Sequence, residues 1–362
     1  MASFAASTKT YPPAALAPPA SPAPAAARPS NGSPAAPALA DLIAPQLRAV
    51  DVLFTRELAS DLANVNELVT HVGKFRGKML RPMLVLLAGL AAQGRLGQQH
   101  VTLATVVEMV HMATLVHDDI LDGAEIRRNG VTVNHLRGNE AAVLLGDFLI
   151  SHAYHLCSSL DLECAGDGQT ASRLIAHTTN IVCEGELTQN HHRRNWTLDE
   201  KTYYLIIYRK TGALTEVCCR LGAMFATRQP EWIDALAAYG RQVGIAFQIV
   251  DDVLDICGQQ KVVGKSLGTD IEKGKLTLPL IHFLQHAAPP HRELLIELLE
   301  SPNHERVAHV RQLIAPSESI AYARKEAQRL IEGAVAALDV LPATAARAAL
   351  VEAAHFVTAR NK

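Results

Sequence analysis

The sequence has little of what several large classes of protein need. Its longest apolar stretches, such as MLVLLAGLAA at residues 83–92, are much shorter than the roughly 20 residues that a membrane helix requires. The formal net charge is −2, so no overall positive field would attract nucleic acid. The six cysteines show no CxxC pairing or regular spacing, which favours a reduced protein, and we predict a cytoplasmic location.

The first 38 residues lack apolar periodicity and consist mainly of Ala, Pro and Ser. A segment of this composition cannot bury enough apolar surface to offset its ordering entropy, so we predict a disordered tail over residues 1–38. Scarcity of acidic residues is also typical of a transit peptide. However, Lys9 and Arg28 are the only basic residues before Asp41, too few for the Arg-rich pattern of such signals. Residues 39–362 are predicted to form a single domain.

Beyond the tail, apolar residues recur with the period of a helix. They lie three and four positions apart in six segments, at residues 98–120, 137–162, 170–190, 199–225, 231–257 and 317–337. Turn-forming stretches such as RNGVT, from residue 128, separate the segments, and alternating strand patterns are scarce. The pattern predicts an all-α fold, a bundle of long antiparallel helices.

Two otherwise apolar segments each contain three aspartates. TLVHDDILD at 114–122 holds Asp118, Asp119 and Asp122, and FQIVDDVLD at 247–255 holds Asp251, Asp252 and Asp255. On a helix, the first and third aspartate of each set share one face. A solvated face is the ordinary alternative, but the Leu, Val, Ile and Phe flanks indicate buried helices. Buried carboxylates must be paired or bound to cations, and Mg²⁺ combines carboxylates with substrate phosphates. The segments therefore predict two Mg²⁺-binding clusters facing a polyphosphate.

Basic residues occur where a polyphosphate site needs them. The candidates are Lys78, Arg81, His111, Arg127, Arg128, Lys210, Lys265 and Lys275. Lys78 and Arg81 are three residues apart and are predicted to share one face of a helical turn, and His111 lies two turns before Asp118. Any one of these residues is more often a surface residue than a ligand, so only the ensemble indicates phosphate binding.

Two further stretches have simpler interpretations. GQQKVVGKS at 258–266 is similar to a P-loop, but five residues separate its glycines where four are required, and it follows a helix. A nucleotide-binding sheet protein is therefore disfavoured. HHRR at 191–194 could bind metal or phosphate, although we favour a solvated loop ahead of the next helix.

Taken in order, the motifs resemble those of the trans-isoprenyl diphosphate synthases, most of all the long-chain octaprenyl, heptaprenyl and solanesyl types. The resemblance rests on GKMLRP, HMATLVHDDILDGAEIRRN, EGELTQ, RKTGAL, AFQIVDDVLD and GKSLGTDIEKGKLTLP. It implies an isoprenoid-synthase-type helical bundle around a central, mostly apolar cavity, usually in a homodimer. It also implies that residues 39–362 form a polyprenyl synthase domain.

The resemblance implies a role for each candidate. Asp118, Asp122 and Asp251 look like Mg²⁺ ligands, with Asp119, Asp252 and Asp255 in supporting positions. Arg127, Lys210, Lys265 and Lys275 would hold the allylic diphosphate, for example farnesyl diphosphate, and Lys78, Arg81, His111 and Arg128 would hold isopentenyl diphosphate. Thr211 and Gln248 match positions lining the reacting carbons. Diphosphate departure would leave an allylic carbocation, which the double bond of isopentenyl diphosphate attacks before a proton is lost to the released diphosphate.

Small residues precede the first aspartate cluster, where the family sets product length. Ala113 and Thr114 lie five and four residues before Asp118, below the metal site along the helix. Short-chain relatives often place aromatic side chains there. The small residues leave the channel open, and the resemblance to long-chain synthases implies an all-trans product of six or more isoprene units for quinone side chains, with transient membrane contact during its release. A floor supplied by another helix would instead give a geranylgeranyl product.

Two rival functions remain open at this point. A terpene cyclase would share the fold and first cluster but would not need Lys78, Arg81 and Arg128 to hold a second diphosphate. A non-catalytic subunit of a heteromeric synthase tends to lose aspartates or cations that are intact here. The chain departs from the family at Asn129, where glycine is usual, and its C-terminal ARNK is either a basic cap of the site or a frayed end.

Overall fold

The computed structural model describes residues 36–75, 77–128, 130–161, 171–257, 268–303 and 305–359. The helices of these residues are α1 (Ala36–Glu57), α2 (Ala63–Gly73), α3 (Leu80–Gln93), α4 (Gln98–Leu121), α5 (Val133–Asp161), α6 (Ala171–His191), α7 (Glu200–Ile207), α8 (Ala213–Met224), α9 (Pro230–Cys257), α10 (Thr269–Glu272), α11 (Leu278–His286), α12 (Pro289–Glu300), α13 (Arg306–Ile314), α14 (Ser319–Ala337) and α15 (Ala345–Ala359). Two-residue strands, β1 (Ile126–Arg127) and β2 (Gly130–Val131), form an antiparallel hairpin between α4 and α5.

The predicted all-α fold is confirmed. Each of the six segments with helical periodicity lies in a helix, or in the joined pair α7 and α8, with ends that differ by at most four residues. The largest difference is at the start of α5, because Gly138 (φ 85°) kinks this helix after its first turn. The apolar pattern therefore identifies the long section beyond the kink and misses the turn before it.

The helices pack around one continuous apolar core. Tyr239 of α9 is fully buried, and its hydroxyl donates to the carbonyl oxygen of Leu350 in α15 at 2.7 Å. At the crossing of α3 and α8, a Cβ on Gly222 would lie 2.2 Å from the carbonyl oxygen of Val85. Only glycine allows these two helices to approach so closely.

Between α7 and α8 the chain forms one turn of π-helix, Tyr208–Gly212. The N-cap Asp199 begins α7, where its carboxylate accepts a hydrogen bond from the amide of Thr202 at 2.7 Å. A π-helical turn inserts one extra residue into a helix and is frequent at functional sites. Here it carries Lys210 and Thr211, two of the predicted site residues.

The predicted tail mostly lies outside the described residues, so its disorder stays a prediction. Helix α1 begins at Ala36, so the last three of the 38 residues assigned to the tail are helical. Residues Pro37–Lys362 form one compact unit. Among the described residues, no helix combines the length and apolar character needed to cross a bilayer.

Candidate active site

The first aspartate cluster lies at the carboxyl end of α4. The amide of Asp122 donates to the carbonyl oxygen of Asp118 at 2.8 Å, so the two carboxylates lie one helical turn apart, as predicted. Asp119 is buried on another side of the helix, where its Oδ1 lies 2.7 Å from Nε of Arg127. Burial raises the pKa of Asp119, and the charge of Arg127 opposes that rise. The β1–β2 hairpin therefore supplies a cation that holds one carboxylate of the cluster.

Three cations converge on Asp122. Its Oδ1 lies 3.0 Å from Nζ of Lys273, 3.5 Å from Nζ of Lys275 and 4.0 Å from Nη2 of Arg193. Burial raises the pKa of Asp122, but Lys275 and Lys273 more than offset this effect, so the pKa lies below its ordinary value. Asp122 is therefore a carboxylate at neutral pH, surrounded by excess positive charge.

Lys210 connects the first cluster with α6. Its Nζ lies 2.5 Å from Oε2 of Glu186 and donates to Oε1 of Gln189 at 2.9 Å. Burial lowers the pKa of Lys210, but the charges of Asp118 and Glu186 outweigh it and raise the pKa overall. Burial raises the pKa of Asp118 despite the opposing charge of Lys210. The charge of the Lys210 ammonium thus acts on Asp118, a partly buried carboxylate of the cluster.

The second aspartate cluster lies near the end of α9 and begins a chain of hydrogen bonds. Asp252 accepts from the Tyr203 hydroxyl at 2.7 Å and from Nε2 of Gln248 at 2.8 Å. Oε1 of Gln248 in turn accepts from the Thr211 hydroxyl at 2.9 Å. Burial, with the charge of Asp270 beside it, raises the pKa of Asp252 well above its usual range. This chain fixes the orientation of the side chain of Gln248 and, through Thr211, links α9 to the π-helical turn.

Asp255 holds the start of α10. Its Oδ1 accepts from the amides of Gly268 and Thr269, at 3.1 and 3.3 Å, and from the Thr269 hydroxyl at 3.2 Å. Its Oδ2 accepts from the amide of Asp270 at 3.1 Å. Burial and the charge of Asp255 raise the pKa of Asp270 to about 6. Asp251, one turn before Asp255, is partly exposed on the same helix.

A polar cavity lies against the second cluster, and two of its lining lysines interact with aspartates of the first cluster. Its polar lining consists of Gln189, Tyr203, Lys210, Gln248, Asp252, Asp270, Lys275 and Thr277. Lys275 is 8% exposed and reaches from this cavity to Asp122 of the first cluster. Four residues predicted from separate stretches of sequence, Lys210, Gln248, Asp252 and Lys275, therefore surround one cavity.

A second group of cations lies between α3, α4 and the hairpin. Burial lowers the pKa of Arg81, and Arg128 adds to this effect while Glu108 opposes it. Burial lowers the pKa of His111 well below its usual range, and Arg81 and Arg128 lower it further. Gly77 lies against Arg128, since a Cβ there would be 2.5 Å from Nη1 of the guanidinium. The group combines two arginines with a neutral imidazole, an arrangement suited to an anion.

Comparison with known proteins identifies the family. The sequence model of the polyprenyl synthetase family matches residues 63–316. The chain belongs to the polyprenyl synthetase family. It is 33% identical to octaprenyl diphosphate synthase from Escherichia coli (strain K12) over 89% of this chain and 98% of that protein.

Solved structures agree with this assignment. A polyprenyl synthase from Caulobacter crescentus CB15 matches with a TM-score of 0.82 at 32% identity, covering 90% of this chain and 98% of that one. A geranylgeranyl pyrophosphate synthetase from Pyrococcus horikoshii Ot3 matches with a TM-score of 0.78 at 31% identity, with the same coverage. The comparisons confirm the predicted family and the predicted class of enzyme, a prenyltransferase whose relatives include long-chain synthases.

In this polyprenyl synthetase, one predicted arrangement is wrong. Lys78 and Arg81 do not share a helical turn, because α3 begins only at Leu80 and Met79 adopts a left-handed conformation with φ 51°. Lys78 is exposed, and its Nζ lies 5.7 Å from the ring centroid of Phe356 in α15. Its role with isopentenyl diphosphate stays a prediction.

Several predicted features lie outside the described residues. They are Lys265, Asn129, the P-loop-like stretch 258–266 and the last three residues of the C-terminal ARNK. The chain-length candidates are both described. Ala113 is fully buried in α4, and the partly buried Thr114 donates through its hydroxyl to the carbonyl oxygen of His111 at 2.8 Å.

The structure adds residues to the site that were not among the predicted site residues. They are Glu186, Gln189, Arg193, Tyr203, Asp270 and Lys273. The sequence could have identified Glu186 and Gln189, because they lie three residues apart in EGELTQ and so share one face of α6. The glycine of that motif also has a role, since a Cβ on Gly185 would lie 2.8 Å from the amide nitrogen of Lys210.

For one of these residues, the expected solvated loop holds only in part. Arg193 of HHRR lies beside Asp122, whereas His191 and Arg194 are exposed as expected. The physical reason is a tertiary hydrogen bond, in which the amide of Arg194 donates to the carbonyl oxygen of Gly274 at 2.7 Å. That bond draws the loop onto the segment carrying Lys273 and Lys275.

Proposed function

We propose that this polyprenyl synthetase is an Mg²⁺-dependent trans-prenyltransferase. It adds isopentenyl diphosphate repeatedly to an allylic diphosphate, such as farnesyl diphosphate, and forms a long-chain polyprenyl diphosphate for quinone side chains. The observation that carries this proposal is the presence of two separate anion sites. One is the polar cavity between the aspartate clusters, and the other is the group of Arg81, Arg128 and His111.

The carboxylates suit an Mg²⁺ ion that is bound jointly by the protein and by the phosphate groups of the substrate. Among the described residues, no three His, Cys, Asp or Glu side chains converge closely enough to hold a metal by themselves. Mg²⁺ commonly takes only one or two carboxylates and completes its shell with water and substrate phosphate. Asp118, Asp122 and Asp251 would supply those carboxylates. Mg²⁺, when bound, would neutralise the diphosphate and assist its departure. The Caulobacter structure, solved with calcium and isoprenyl diphosphate, supports a divalent ion beside this substrate class.

The side chains around the polar cavity serve the allylic diphosphate. Lys210 and Lys275 place their side chains at the cavity, and Arg127 forms an ion pair with Asp119. These fixed cations stabilise negative charge as it develops on the leaving diphosphate. Thr211 and Gln248 are held by hydrogen bonds to each other and to Asp252, which positions them as a wall beside the allylic carbons.

The second group of cations serves isopentenyl diphosphate. Because His111 has a lowered pKa, its imidazole is neutral at pH 7 and offers a hydrogen bond without adding charge. The two guanidiniums supply forked donors that match phosphate oxygens. A terpene cyclase acts on one diphosphate and has no use for this second group, so the arrangement favours the prenyltransferase over that rival.

The proposed product length rests on the size of the side chains in α4. Between Gln98 and Leu121 this helix contains no Phe, Tyr or Trp, so no aromatic side chain of α4 closes the direction of chain growth. Ala113, one and a half turns before Asp118, is the smallest side chain at the predicted floor. This opening supports six or more isoprene units over the geranylgeranyl alternative.

Product analysis tests the proposal directly. Purified protein is incubated with Mg²⁺, isopentenyl diphosphate and farnesyl diphosphate, and the dephosphorylated prenols are sized by chromatography. Chains of six or more units are expected. Geranylgeraniol alone would reject the open channel, and absence of product from any primer would favour the non-catalytic subunit.

A substitution at the floor tests the length determinant. Ala113→Phe should shorten the longest product to about four or five units, because the ring would fill the space below the aspartates. Ala113→Ser is the matched control, since it keeps the side chain small and should leave product length unchanged. Equal product lengths in the two variants would show that the floor lies elsewhere.

The homodimer also belongs to this proposal. Leu144 of α5 and Leu187 of α6 are 68% and 69% exposed, which is unusual for leucines on two neighbouring helices and is consistent with a subunit interface. Light scattering coupled to gel filtration would measure the predicted dimer. The cytoplasmic location and the transient membrane contact stay predictions.

A further inference from the structure

The loop after α6 brings Arg193 to the first aspartate cluster. Its guanidinium Nη2 lies 4.0 Å from Oδ1 of Asp122, the oxygen that Lys273 and Lys275 approach more closely. One carboxylate therefore faces three cations from two loops. A distance of 4.0 Å is too long for a hydrogen bond, so Asp122 does not satisfy the guanidinium.

The guanidinium of Arg193 has buried donors without acceptors. Its Nε and Nη2 are both shielded from solvent and have no hydrogen-bond partner among the described residues. Leaving buried polar groups unpaired is costly, and more so when they are charged. The side chain as a whole is 33% exposed, so it borders an opening and is not enclosed in the core. This combination indicates a missing anionic acceptor.

The position of Arg193 is fixed by backbone contacts. The next residue, Arg194, has φ 59°, and its amide donates to the carbonyl oxygen of Gly274 at 2.7 Å. Gly274 has φ 67°, and a Cβ there would lie 2.7 Å from Cγ of Arg194. The loop is therefore held against the segment between Lys273 and Lys275. Arg193 is presented to the same space as those two lysines.

We infer that Arg193 is a further binding residue for the diphosphate of the allylic substrate, an inference that rests on the proposed function. Nε and Nη2 lie on one edge of the guanidinium and form a fork that matches two oxygens of one phosphate group. A diphosphate between the aspartate clusters supplies the acceptors that these donors lack. Asp122 holds the three cations near one another before the diphosphate arrives.

The test measures diphosphate binding separately from turnover. Calorimetry with inorganic diphosphate and Mg²⁺ is carried out on the full chain as wild type, Arg193→Gln and Arg194→Gln. Arg193→Gln should weaken binding about tenfold or more, the usual effect of losing a charge-assisted forked contact. Arg194→Gln removes the same charge from the same loop through an exposed side chain, and its Kd should stay within about twofold of wild type. Arg193→Lys keeps the charge but not the forked donors, so its Kd for diphosphate should lie between those of the wild type and Arg193→Gln.

Steady-state kinetics provide a second readout. Arg193→Gln should raise the KM for farnesyl diphosphate and leave the KM for isopentenyl diphosphate unchanged, because the second group of cations is intact. Equal diphosphate affinity in the Arg193→Gln and Arg194→Gln variants would overturn the inference. So would a lower thermal midpoint with unchanged affinity, which marks a purely structural role. Wild-type protein that binds diphosphate but forms no prenol would contradict the proposed function and leave the role of Arg193 in binding intact.

Discussion

Replacing Asp255 with alanine should release the segment that carries Lys273 and Lys275. In the structure this carboxylate accepts four hydrogen bonds from residues 268–270, three from amides and one from the Thr269 hydroxyl. Alanine removes both acceptor oxygens, and with them all four hydrogen bonds. The Gly268 amide keeps its bond to the backbone carbonyl oxygen of residue 255 at 3.0 Å, but the amides of Thr269 and Asp270 would have no partner within α10, which is only four residues long.

The magnitude follows from the number of bonds lost. A hydrogen bond contributes a net of about 0.5–1.5 kcal/mol, so the three bonds other than that of the Gly268 amide support about 1.5–4.5 kcal/mol of local opening free energy. Because the segment opens locally, the free energy of global unfolding should fall by less. Hydrogen exchange of the amides at 268–275 should accelerate by roughly tenfold to a thousandfold, since each 1.4 kcal/mol is a factor of ten.

The assay is hydrogen exchange followed by mass spectrometry on the metal-free protein. Asp255→Asn is the matched comparison, because it retains one acceptor oxygen and should give an intermediate acceleration. The amide of Arg194, which donates to Gly274, should also lose protection. Unchanged exchange over residues 268–275 in Asp255→Ala would refute the role of this aspartate as the anchor of the segment.

Two further predictions concern stability. Burial and Asp255 raise the pKa of Asp270 to about 6 in the folded protein, so its contribution to stability is present at low pH and is lost as pH rises through 6. Asp270→Asn should therefore stabilise the metal-free protein by about 1–3 kcal/mol at pH 7.5 and by less at pH 4.5, measured by denaturant unfolding in EDTA; an equal difference at both pH values would contradict the assignment. Gly222→Ala should lower the free energy of unfolding by about 2 kcal/mol or more, because its Cβ would lie 2.2 Å from a backbone oxygen of α3. Gly73→Ala, where a Cβ would have nothing within 4 Å, is the control and should be neutral or slightly stabilising; similar losses in both would argue against close packing at the α3–α8 crossing.

Periodicity and desolvation account for what the sequence predicts well. The long helices α4, α6 and α9 each bury an apolar face, so their positions follow from the spacing of Leu, Val, Ile and Ala. Asp118 and Asp122 were identified as a functional pair because carboxylates on an apolar helix require partners. Lys210 or Lys275 alone would not indicate phosphate binding, and only the whole set of basic residues, in its order along the chain, predicts it. The structure places both lysines at the same cavity.

Local conformation and tertiary contacts explain what the sequence does not predict well. The arrangement of Lys78 was wrong because Met79 adopts a left-handed conformation, which is uncommon for a residue other than glycine and has no sequence signal here. Tyr203 is 49 residues from the Asp252 that it contacts, and no pattern within either helix pairs them. Arg193 comes close to Asp122 because the backbone of its loop is hydrogen-bonded to Gly274, a contact that the local sequence does not predict.

The π-helical turn at Tyr208–Gly212 joins α7 to α8. Because of this turn, the orientation of the residues that follow depends on the number of residues in the joined helix as much as on their identity. One residue more than an α-helical turn lets Lys210 face α6 while the next residue, Thr211, faces α9. Deleting a single residue from this turn would restore a regular α-helix and rotate everything after it by about 100° relative to α7. The fully buried Cys218, Cys219 and Leu221 would then leave the core. We therefore expect this helix to tolerate substitutions more readily than an insertion or deletion of one residue.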